Sequence, residues 1–376
     1  MIVIAVIAIA IIGVGAYFAF AQQNPDPEPT GITIVDGSGA TITLDEPLTS
    51  CTIVSTNPAM AMKILGLTDK VDNIIFYTEN KSQQYYEAGF TKIDMSSDKP
   101  SAKTMSNIEY LQQKGVKYII EPVSSNTLSA AAEAACANAN ITTIKLDCFG
   151  ETMLEDMEKM ATLFGNTNEI KKAYSAYKEL RNKVIQPVVS QKTVDSDLFL
   201  FYFLGLGAFY NETGELSKTV EKIYGKNATR LIEGLNPTSP TTKAPETEGI
   251  FASLTVINEE TPIKLLLLRG SAGDQAEQLF SKWNSKSIHV YKFDYIDGSD
   301  SNVFAIESDL LSGPMDYIAY AAIGKIVGMD LDFTVSDLVD EYKQLYGFGP
   351  NTETYIWEFQ FDENGDLAEV MPSSID

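Results

Sequence analysis

One long helical stretch divides the chain into two halves of similar pattern, and it constrains the fold more than any other feature. From Glu151 to about Ile185 the apolar residues recur at helical spacing, with no strand pattern among them. The helix is expected to be interrupted at Gly165–Asn166 and to end before Pro187, because proline lacks the N–H that a helix interior needs. On both sides, short apolar strands alternate with helical segments, which is typical of parallel sheets.

The first half is predicted to open with a β-hairpin and to continue as βα units. Alternating apolar residues flank Asp36-Gly-Ser-Gly39, which indicates a hairpin within residues 31–45. The strands predicted after it are Thr52–Ser55, Asn73–Phe76, Val116–Ile120 and Ile141–Leu146, and the helices are Ala59–Leu65, Ser106–Lys114 and Ser129–Ala137.

The second half repeats the pattern and ends in a strand pair around Asn364–Gly365. Its predicted strands are Leu198–Leu204, Ile263–Leu268 and Ile288–Phe293, and its helices are Leu216–Tyr224, Gln275–Trp283, Tyr317–Val327 and Val335–Tyr346. We therefore expect an α/β protein of two Rossmann-like lobes joined by one long helix. Ligands of open α/β sheets bind at the carboxyl ends of the strands, so the two lobes would enclose a cleft.

The N-terminus carries a targeting or membrane segment. Met1–Ala21 contains no charged residue, and a helix of that length is about 30 Å long, enough to cross a bilayer. A retained transmembrane anchor and a cleaved signal peptide both remain open, since Ala19-Phe-Ala21 resembles a cleavage site. Either one places the remainder outside the cytoplasm. The predicted division is 1–21 anchor or signal, 22–30 proline-rich linker, 31–150 first lobe, 151–187 linking helix, 188–348 second lobe and 349–376 C-terminal strand pair.

The net charge of −23 excludes nucleic acid and anionic lipid as partners, because the average surface potential repels both. Four glycosylation sequons, at Asn80, Asn140, Asn211 and Asn227, agree with an extracytoplasmic glycoprotein. The three cysteines, an odd number, are Cys51, Cys136 and Cys148. A Cys136–Cys148 disulfide and buried free thiols are both possible.

Catalytic and bare-metal chemistry find no support in the sequence. There is no Gly-x-Ser-x-Gly elbow, no Walker loop and no HExxH motif, so we expect a protein that is not an enzyme and has no resident cofactor. The single histidine, His289, is expected to be structural, with axial ligation of haem or cobalt as the alternative. The residues Asp294, Asp297, Asp300 and Asn302 are interpreted as an acidic turn rather than a calcium site.

The candidate ligand contacts are polar and aromatic residues that follow predicted strands. Aromatic faces suit a flat macrocycle or a catecholate. Arg269 ends an apolar strand just before Gly270-Ser-Ala-Gly273, which suits an anionic group on the ligand; an ion pair within the protein is the alternative. The full candidate set is Asn57, Tyr77, Tyr85, Tyr86, Ser124, Ser125, Phe209, Tyr210, Arg269 and Tyr295.

Several segments, in order, resemble the helical-backbone class of periplasmic binding proteins, over about Ile32–Phe348. The matching segments are Ile32–Leu44, Ile53–Pro58, Ile64–Val71, Met105–Glu109, Gly115–Ile120, Thr152–Lys172, Ser312–Pro314 and Tyr320–Lys325. The resemblance implies the extracytoplasmic solute-binding component of an ABC importer, at an archaeal-type membrane, capturing an iron–siderophore, corrinoid or haem-like chelate. Its partners would be the permease and ATPase subunits, and the N-terminal helix would hold it at the membrane.

The chain departs from that family at one functional position. Many members carry a glutamate in the first helix that docks on the permease, whereas Pro58–Lys63 contains no carboxylate. In the second lobe, Glu215 or Glu221 could take this role. The departure keeps a second function open, that of a membrane-anchored surface protein that uses the same fold for sensing or adhesion.

Overall fold

A computed structural model describes eleven ranges of the chain. They are 31–75, 82–93, 108–123, 127–191, 198–210, 215–223, 226–231, 241–243, 247–261, 263–286 and 303–375. Within them, no helix is both long and apolar enough to cross a membrane. The predicted anchor or signal, the linker, the predicted strand Ile288–Phe293 with His289, and the acidic turn at residues 294–302 lie outside the described residues.

The first lobe is a hairpin followed by a sheet of four parallel strands, as predicted. The hairpin strands pair antiparallel, and the Asp36 carboxylate accepts the N–H groups of Ser38 and Ala40 in the turn between them. The sheet has the order β4-β3-β5-β6, with every pair parallel. The elements are β1 Ile32–Val35, β2 Thr41–Leu44, β3 Cys51–Val54, α1 Thr56–Ile64, β4 Val71–Ile75, α2 Ser82–Glu87, α3 Ile108–Gln113, β5 Tyr118–Glu121, α4 Ala130–Asn138 and β6 Thr142–Lys145.

Two helices, α5 (Met153–Leu163) and α6 (Asn168–Ser190), follow the first lobe. The predicted interruption is confirmed, because Gly165 and Asn166 both adopt positive φ between the helices. The predicted end before Pro187 is wrong, since α6 continues through this proline to Ser190. Pro187 lies in the last turn, so it removes only one internal hydrogen bond, and the following Val188 is fully buried.

The second lobe contains a mixed sheet of eight described strands. Its order is β10-β8-β7-β11-β12-β13-β14, and β9 pairs with the start of β7. The strands β9, β7, β11 and β12 pair in parallel. On one side, β8 pairs antiparallel with β7, and β10 pairs antiparallel with β8. On the other side, β13 pairs antiparallel with β12, and β14 pairs antiparallel with β13. The predicted C-terminal strand pair is confirmed, and it extends this sheet through β12.

The second lobe contains four strands, β8, β9, β10 and β12, and one helix that the sequence did not predict. The strands are β7 Leu198–Phe203, β8 Ala208–Tyr210, β9 Lys226–Asn227, β10 Thr241–Lys243, β11 Ile263–Arg269, β12 Val303–Ile306, β13 Ile356–Phe361 and β14 Leu367–Pro372. The helices are α7 Glu215–Ile223, α8 Thr247–Glu260, which is the unpredicted one, α9 Ala276–Ser285, α10 Asp316–Ile326 and α11 Val335–Tyr346, with short 3₁₀ turns at Ser308–Leu311 and Gly313–Met315.

The largest hydrophobic core runs through both lobes and the linking helices. Within it, Arg181 of α6 forms a two-point ion pair with Asp316 at the start of α10, with Nη2 to Oδ2 at 2.8 Å and Nε to Oδ1 at 3.2 Å. The Tyr177 hydroxyl donates to the carbonyl of Pro314 at 2.8 Å. These contacts fix α6 to the second lobe.

Cys136 and Cys148 are separate buried thiols, so the disulfide alternative is not formed.

Candidate ligand-binding cleft

The two lobes touch where α1 begins, at the carboxyl end of β3. The helix α1 packs against the short turn Gly313–Met315 of the second lobe. Gly313 has φ +59°, and a Cβ on it would lie 2.9 Å from Oδ1 of Asn57. A side chain at position 313 would therefore be strained by the backbone and would collide with the predicted site residue Asn57. This contact places Asn57 at the interface between the lobes, and its role as a ligand contact stays a prediction.

A small cavity lies beside this contact. Its first-lobe wall is Thr56, Met60 and the predicted residue Tyr85, and its second-lobe wall includes Asp309 and Phe348. The Tyr85 ring is 3% exposed and lies 5.9 Å from that of Phe348, and burial raises the pKa of Tyr85 above its usual value, with the charge of Asp309 adding to the effect. The cavity volume of about 20 Å³ holds roughly one water molecule. A chelate at this point would require the two walls to move apart.

Ser55, the residue just before α1, has an unusual backbone that the sequence did not signal. Its φ of 78° and ψ of 168° fall in a region that is open essentially to glycine alone. The residue is buried, and its N–H donates to the carbonyl of Ile75 on the neighbouring strand. Strained backbone of this kind persists where its surroundings enforce it, and it is concentrated at functional sites. Its position beside Thr56 marks the start of α1 as part of the cleft.

Arg269 lies at the carboxyl end of β11, and its side-chain partners among the described residues are neutral groups. Its Nε donates to Oγ of Ser308 at 2.8 Å, and its Nη1 donates to the hydroxyl of Tyr210 at 3.0 Å. The guanidinium carbon lies 4.8 Å from the ring centroid of Phe203, which itself lies nearly parallel to Tyr210. Stacking on Phe203 and two hydrogen bonds therefore orient the guanidinium. None of these three contacts is a negatively charged group.

The other two arginines differ from Arg269 in this respect. Arg181 pairs with Asp316, and Arg230 pairs with Glu221 at 3.0 Å. No carboxylate of the described residues lies within ion-pair distance of Arg269. The alternative of an ion pair within the protein therefore finds no partner in these ranges, and the interpretation as an anion contact stays open.

A buried carboxylate, Glu307, lies next to Ser308 and was missed by the sequence analysis. It accepts the N–H of Gly273, at 3.1 Å, in the glycine loop that follows Arg269. The pKa of Glu307 is raised to about 7, chiefly by burial; the charges of Asp309 and Asp274 contribute to the rise, and the hydrogen bonds from the backbone N–H groups of Gly273 and Asp309 oppose it. No sequence motif marks a buried carboxylate of this kind, because its burial depends on the packing of β12. The loop and the carboxylate form one unit at this edge.

The first lobe also ends a strand with a basic residue, Lys145 of β6, and this one is fully paired. Its Nζ donates to Glu121 at 2.7 Å, Glu133 at 2.5 Å and Thr127 at 3.2 Å. Burial alone would lower the pKa of Lys145, but these hydrogen bonds and charges raise it. Glu121 has no exposed surface and also accepts the N–H of Leu128 at 2.7 Å. This cluster ties the loop after β5 to the sheet, so its role is structural.

The remaining predicted ligand residues are not brought together by the described structure. Tyr86 is 43% exposed, away from the cavity wall. Phe209 is 1% exposed and packs edge-on against Tyr202 in the second-lobe core, so a packing role suits it better than a ligand contact. The predicted contacts that lie outside the described residues are Tyr77, Ser124, Ser125 and Tyr295.

The candidate docking residues lie on α7, which packs against α10 and α6. Glu221 is partly exposed and already paired with Arg230. Glu215 begins α7, and its side chain is outside the described set. The corresponding stretch of α1 from Pro58 to Met62 is buried against the second lobe, so it offers no docking surface here. Among the described residues, no group of three His, Cys, Asp or Glu side chains could hold a metal ion.

Comparison with known proteins identifies the fold and nothing finer. No protein-family model and no curated protein matches the sequence. The TroA-like periplasmic binding protein FepB from Veillonella parvula superposes with a TM-score of 0.59 at 12% identity, over 88% of this chain and 100% of its own. The molybdate periplasmic binding protein MolA from Haemophilus influenzae gives 0.58 at 12% identity, over 85% and 99%.

A further periplasmic binding protein from Veillonella parvula gives a TM-score of 0.55 at 14% identity, over 80% of this chain and 100% of its own. All three solved structures are covered almost completely by this chain, so the likeness extends over the whole two-lobed arrangement rather than one sheet. At these identities the likeness concerns architecture and leaves the ligand open. The chain has the fold of the periplasmic binding proteins of the TroA-like type.

Proposed function

We propose that this protein is the extracytoplasmic solute-binding component of an ABC importer, and that it captures an anionic metal chelate between its two lobes. The chelates in question are iron–siderophores, corrinoids with acidic groups and haem-like macrocycles. Permease and ATPase subunits would be its partners, and the N-terminal segment 1–21 would hold it at the membrane or direct its export. The likeness to periplasmic binding proteins supports the class.

One observation carries the choice of ligand. Arg269 presents an oriented guanidinium at a strand end, with Ser308 and Tyr210 as neutral partners. The protein has a net charge of −23, so an anionic ligand meets a repulsive average field and needs a local cation. Phe203, which lies beside the guanidinium, is partly exposed and offers flat apolar surface for a macrocycle or catecholate, whereas the Tyr210 ring is buried against Phe201 and serves to hold the arginine.

A second function is favoured by one feature of α1. The stretch Pro58–Met62 has no carboxylate and is buried against the second lobe, so the usual first-lobe docking contact is missing. A membrane-anchored surface protein for sensing or adhesion would have no need of that contact. Permease and ATPase genes next to this one would favour the importer, and their absence would favour the surface protein.

The experiment is a titration of the wild type, Arg269→Ala and Arg269→Lys with ferric catecholate siderophores, haem and cobalamin. Loss of the arginine should weaken an anionic chelate by about 2–5 kcal/mol, mostly through faster release. Lysine should restore only part of the affinity, because it lacks the planar fork. Cobalamin, which carries no net negative charge, should bind all three proteins alike.

The matched control is Arg230→Ala, which removes the same charge from an exposed ion pair and should leave chelate affinity unchanged. If Arg269→Ala binds a confirmed anionic chelate as tightly as the wild type, Arg269 is structural and the anionic class is wrong. If the wild type binds none of these chelates, and native mass spectrometry finds no ligand on protein from its own host, the solute-binding function itself is contradicted.

A further inference from the structure

The helix α4 is followed by an asparagine with a left-handed backbone. Asn140 has φ +57° and lies in the turn between α4 and β6. Its N–H donates to the carbonyl of Ala137 at 3.1 Å, and the N–H of the following Ile141 donates to the carbonyl of Cys136 at 2.9 Å. These two bonds close the helix in a Schellman motif, whose left-handed position usually holds glycine.

Two other helices of the first lobe close with the same pair of bonds and carry glycine at the left-handed position. They are α1, with Gly66, and α3, with Gly115. Positive φ is unfavourable for most residues with a side chain, although asparagine tolerates it better than the others. The backbone at position 140 therefore excludes bulky residues, but glycine would suit it at least as well. The asparagine side chain needs a separate explanation.

The side chains around Asn140 alternate between solvent and core. Asn140 and Thr142 are exposed, whereas Ile141 between them is 3% exposed and packs in the core beneath α4. Residues 140–142 form an Asn-x-Thr sequon, the acceptor sequence for N-linked glycosylation. The amide and the hydroxyl of this sequon are both accessible on the folded protein, while Ile141 anchors the turn.

The sequon at Asn227 differs in this respect. Asn227 belongs to β9, which pairs with β7. Thr229, two residues further on, is 1% exposed, and its hydroxyl donates to the carbonyl of Tyr210 at 2.9 Å. A transferase that acts on the folded chain could not reach that hydroxyl. The acceptors Asn80 and Asn211 lie outside the described residues.

The turn at Asn140 lies on the side of the first lobe that faces away from the cleft. The sheet is parallel, and β6 begins at Thr142, so Asn140 is at the amino end of the strands. The helix α1 begins at the carboxyl end of β3, where the lobes meet. A bulky hydrophilic group on Asn140 would therefore project into solvent and leave the cleft open.

We propose that Asn140 is an N-glycosylation site, and that it receives an oligosaccharide carried through a phosphate linkage on a membrane lipid. In the transfer, Nδ2 of Asn140 forms a bond to C1 of the first sugar, and the bond between C1 and the phosphate oxygen breaks. The lipid phosphate leaves with the electron pair, and Nδ2 releases one proton. This modification depends on the extracytoplasmic location of the proposed function, because N-linked acceptors belong to secreted proteins.

The test is peptide mass spectrometry of the full chain, purified from the membrane and medium fractions of its own host. The peptide that contains Asn140 should carry the mass of an oligosaccharide. Asn166 is the internal control, because it also has positive φ but the residue two positions further on is Asn168, so the acceptor motif is missing. The peptides that contain Asn166 and Asn227 should be unmodified.

Three variants separate a modification directed by the sequon from other chemistry at an exposed amide. Thr142→Val removes the hydroxyl but keeps Asn140, and it should abolish the oligosaccharide, whereas Thr142→Ser should retain it. Asn140→Gly should abolish it and leave the fold intact, because glycine adopts positive φ readily. All three variants should bind the chelate as the wild type does, because the turn is at the opposite end of the sheet from α1.

An unmodified Asn140 on exported protein overturns the proposal. An oligosaccharide that persists in Thr142→Val does the same, as does an occupancy of Asn227 equal to that of Asn140. Failure of the solute-binding function gives a different result, because the wild type would then bind none of the chelates, whether Asn140 is modified or not. Protein found only in the cytoplasm would contradict both proposals.

Discussion

The two lobes end a parallel strand with a basic residue in the same way and treat its charge in opposite ways. In the first lobe, Lys145 contacts the carboxylates of Glu121 and Glu133. In the second lobe, the side-chain partners of Arg269 among the described residues are the hydroxyls of Ser308 and Tyr210 and an aromatic face. The charge of Lys145 is neutralised by carboxylates of the protein. The guanidinium of Arg269 is oriented by neutral groups, so its charge can interact with an anionic ligand.

The buried carboxylates repeat this contrast. Glu121 has a lysine at 2.7 Å, whereas Glu307 is held by the backbone N–H groups of Gly273 and Asp309, and no described cation pairs with it. In the second lobe, Arg269 ends β11 and Glu307 directly follows the adjacent strand β12, yet the two do not form an ion pair. The ion pair in the first lobe contributes to the stability of the fold. Without such a pair, the interactions of Arg269 depend on the ligand and the charge of Glu307 depends on pH. We therefore expect substitutions at the first edge to affect folding and those at the second to affect binding and pH response.

The largest effect that tests this contrast is on folding. Lys145→Met leaves Glu121 buried without a counter-charge, so the free energy of unfolding in denaturant should fall by about 3–5 kcal/mol. Adding Glu121→Gln should recover most of the loss, because the amide carries no charge. Arg269→Met, the matched change in the other lobe, should cost about 1 kcal/mol or less, since its partners are neutral. Equal losses in the two lobes would remove the distinction.

The next effect is the pH dependence of stability at the second edge. The pKa of Glu307 is raised from 4.5 to about 7, so the folded protein holds its proton over an interval in which the unfolded chain releases it. The free energy of unfolding should therefore fall as the pH rises from about 4.5 to 7, by about 3 kcal/mol at most from this group.

The variant that tests this prediction is Glu307→Gln. It should flatten this part of the profile while its amide oxygen still accepts the N–H of Gly273. Unfolding measured at several pH values between 4 and 8 gives the comparison. If the variant shows the same pH dependence of unfolding as the wild type, a group other than Glu307 is responsible for it.

The smallest effect concerns the residue that positions Arg269. Ser308→Ala removes the hydroxyl that accepts the hydrogen bond from Nε, so the guanidinium is less well oriented and the affinity for an anionic chelate should fall by about 1 kcal/mol, roughly fivefold. Because Ser308 acts through Arg269, the same change in the Arg269→Ala protein should have no further effect on affinity. An equal loss in both backgrounds would mean that Ser308 contacts the ligand itself.

The sequence predicted most of the first lobe and the break between the linking helices, because their signals are local, but it took the helix α2 for a loop. The turn at Asp36–Gly39 and the positive-φ break at Gly165–Asn166 can be predicted from the residue types at those positions. The strand end at Arg269 followed from an apolar run and a glycine loop, and the structure extends β11 to include it. These features depend on neighbours in the chain, which a sequence pattern can show.

The features that were missed depend on partners far away in the chain. The strand β12 is only four residues long, and its burial comes from β11 and β13. Because β8 was not predicted, Phe209 and Tyr210 were both assigned to the cleft, although neighbouring residues of a strand face opposite sides. The buried charge of Glu307 and the strained backbone of Ser55 likewise arise from packing, which no local pattern reports.

The break between α5 and α6 has a mechanical consequence. On one side, the carbonyl of Leu163 accepts the N–H of Leu48, so α5 is fastened to the first lobe. On the other, Tyr177 and Arg181 fasten α6 to the second. A rotation between the lobes would then bend only the four residues between the helices, with α6 carried along as a lever arm of the second lobe. The joint of this molecule is expected at Gly165, in the break between the two helices that link the lobes.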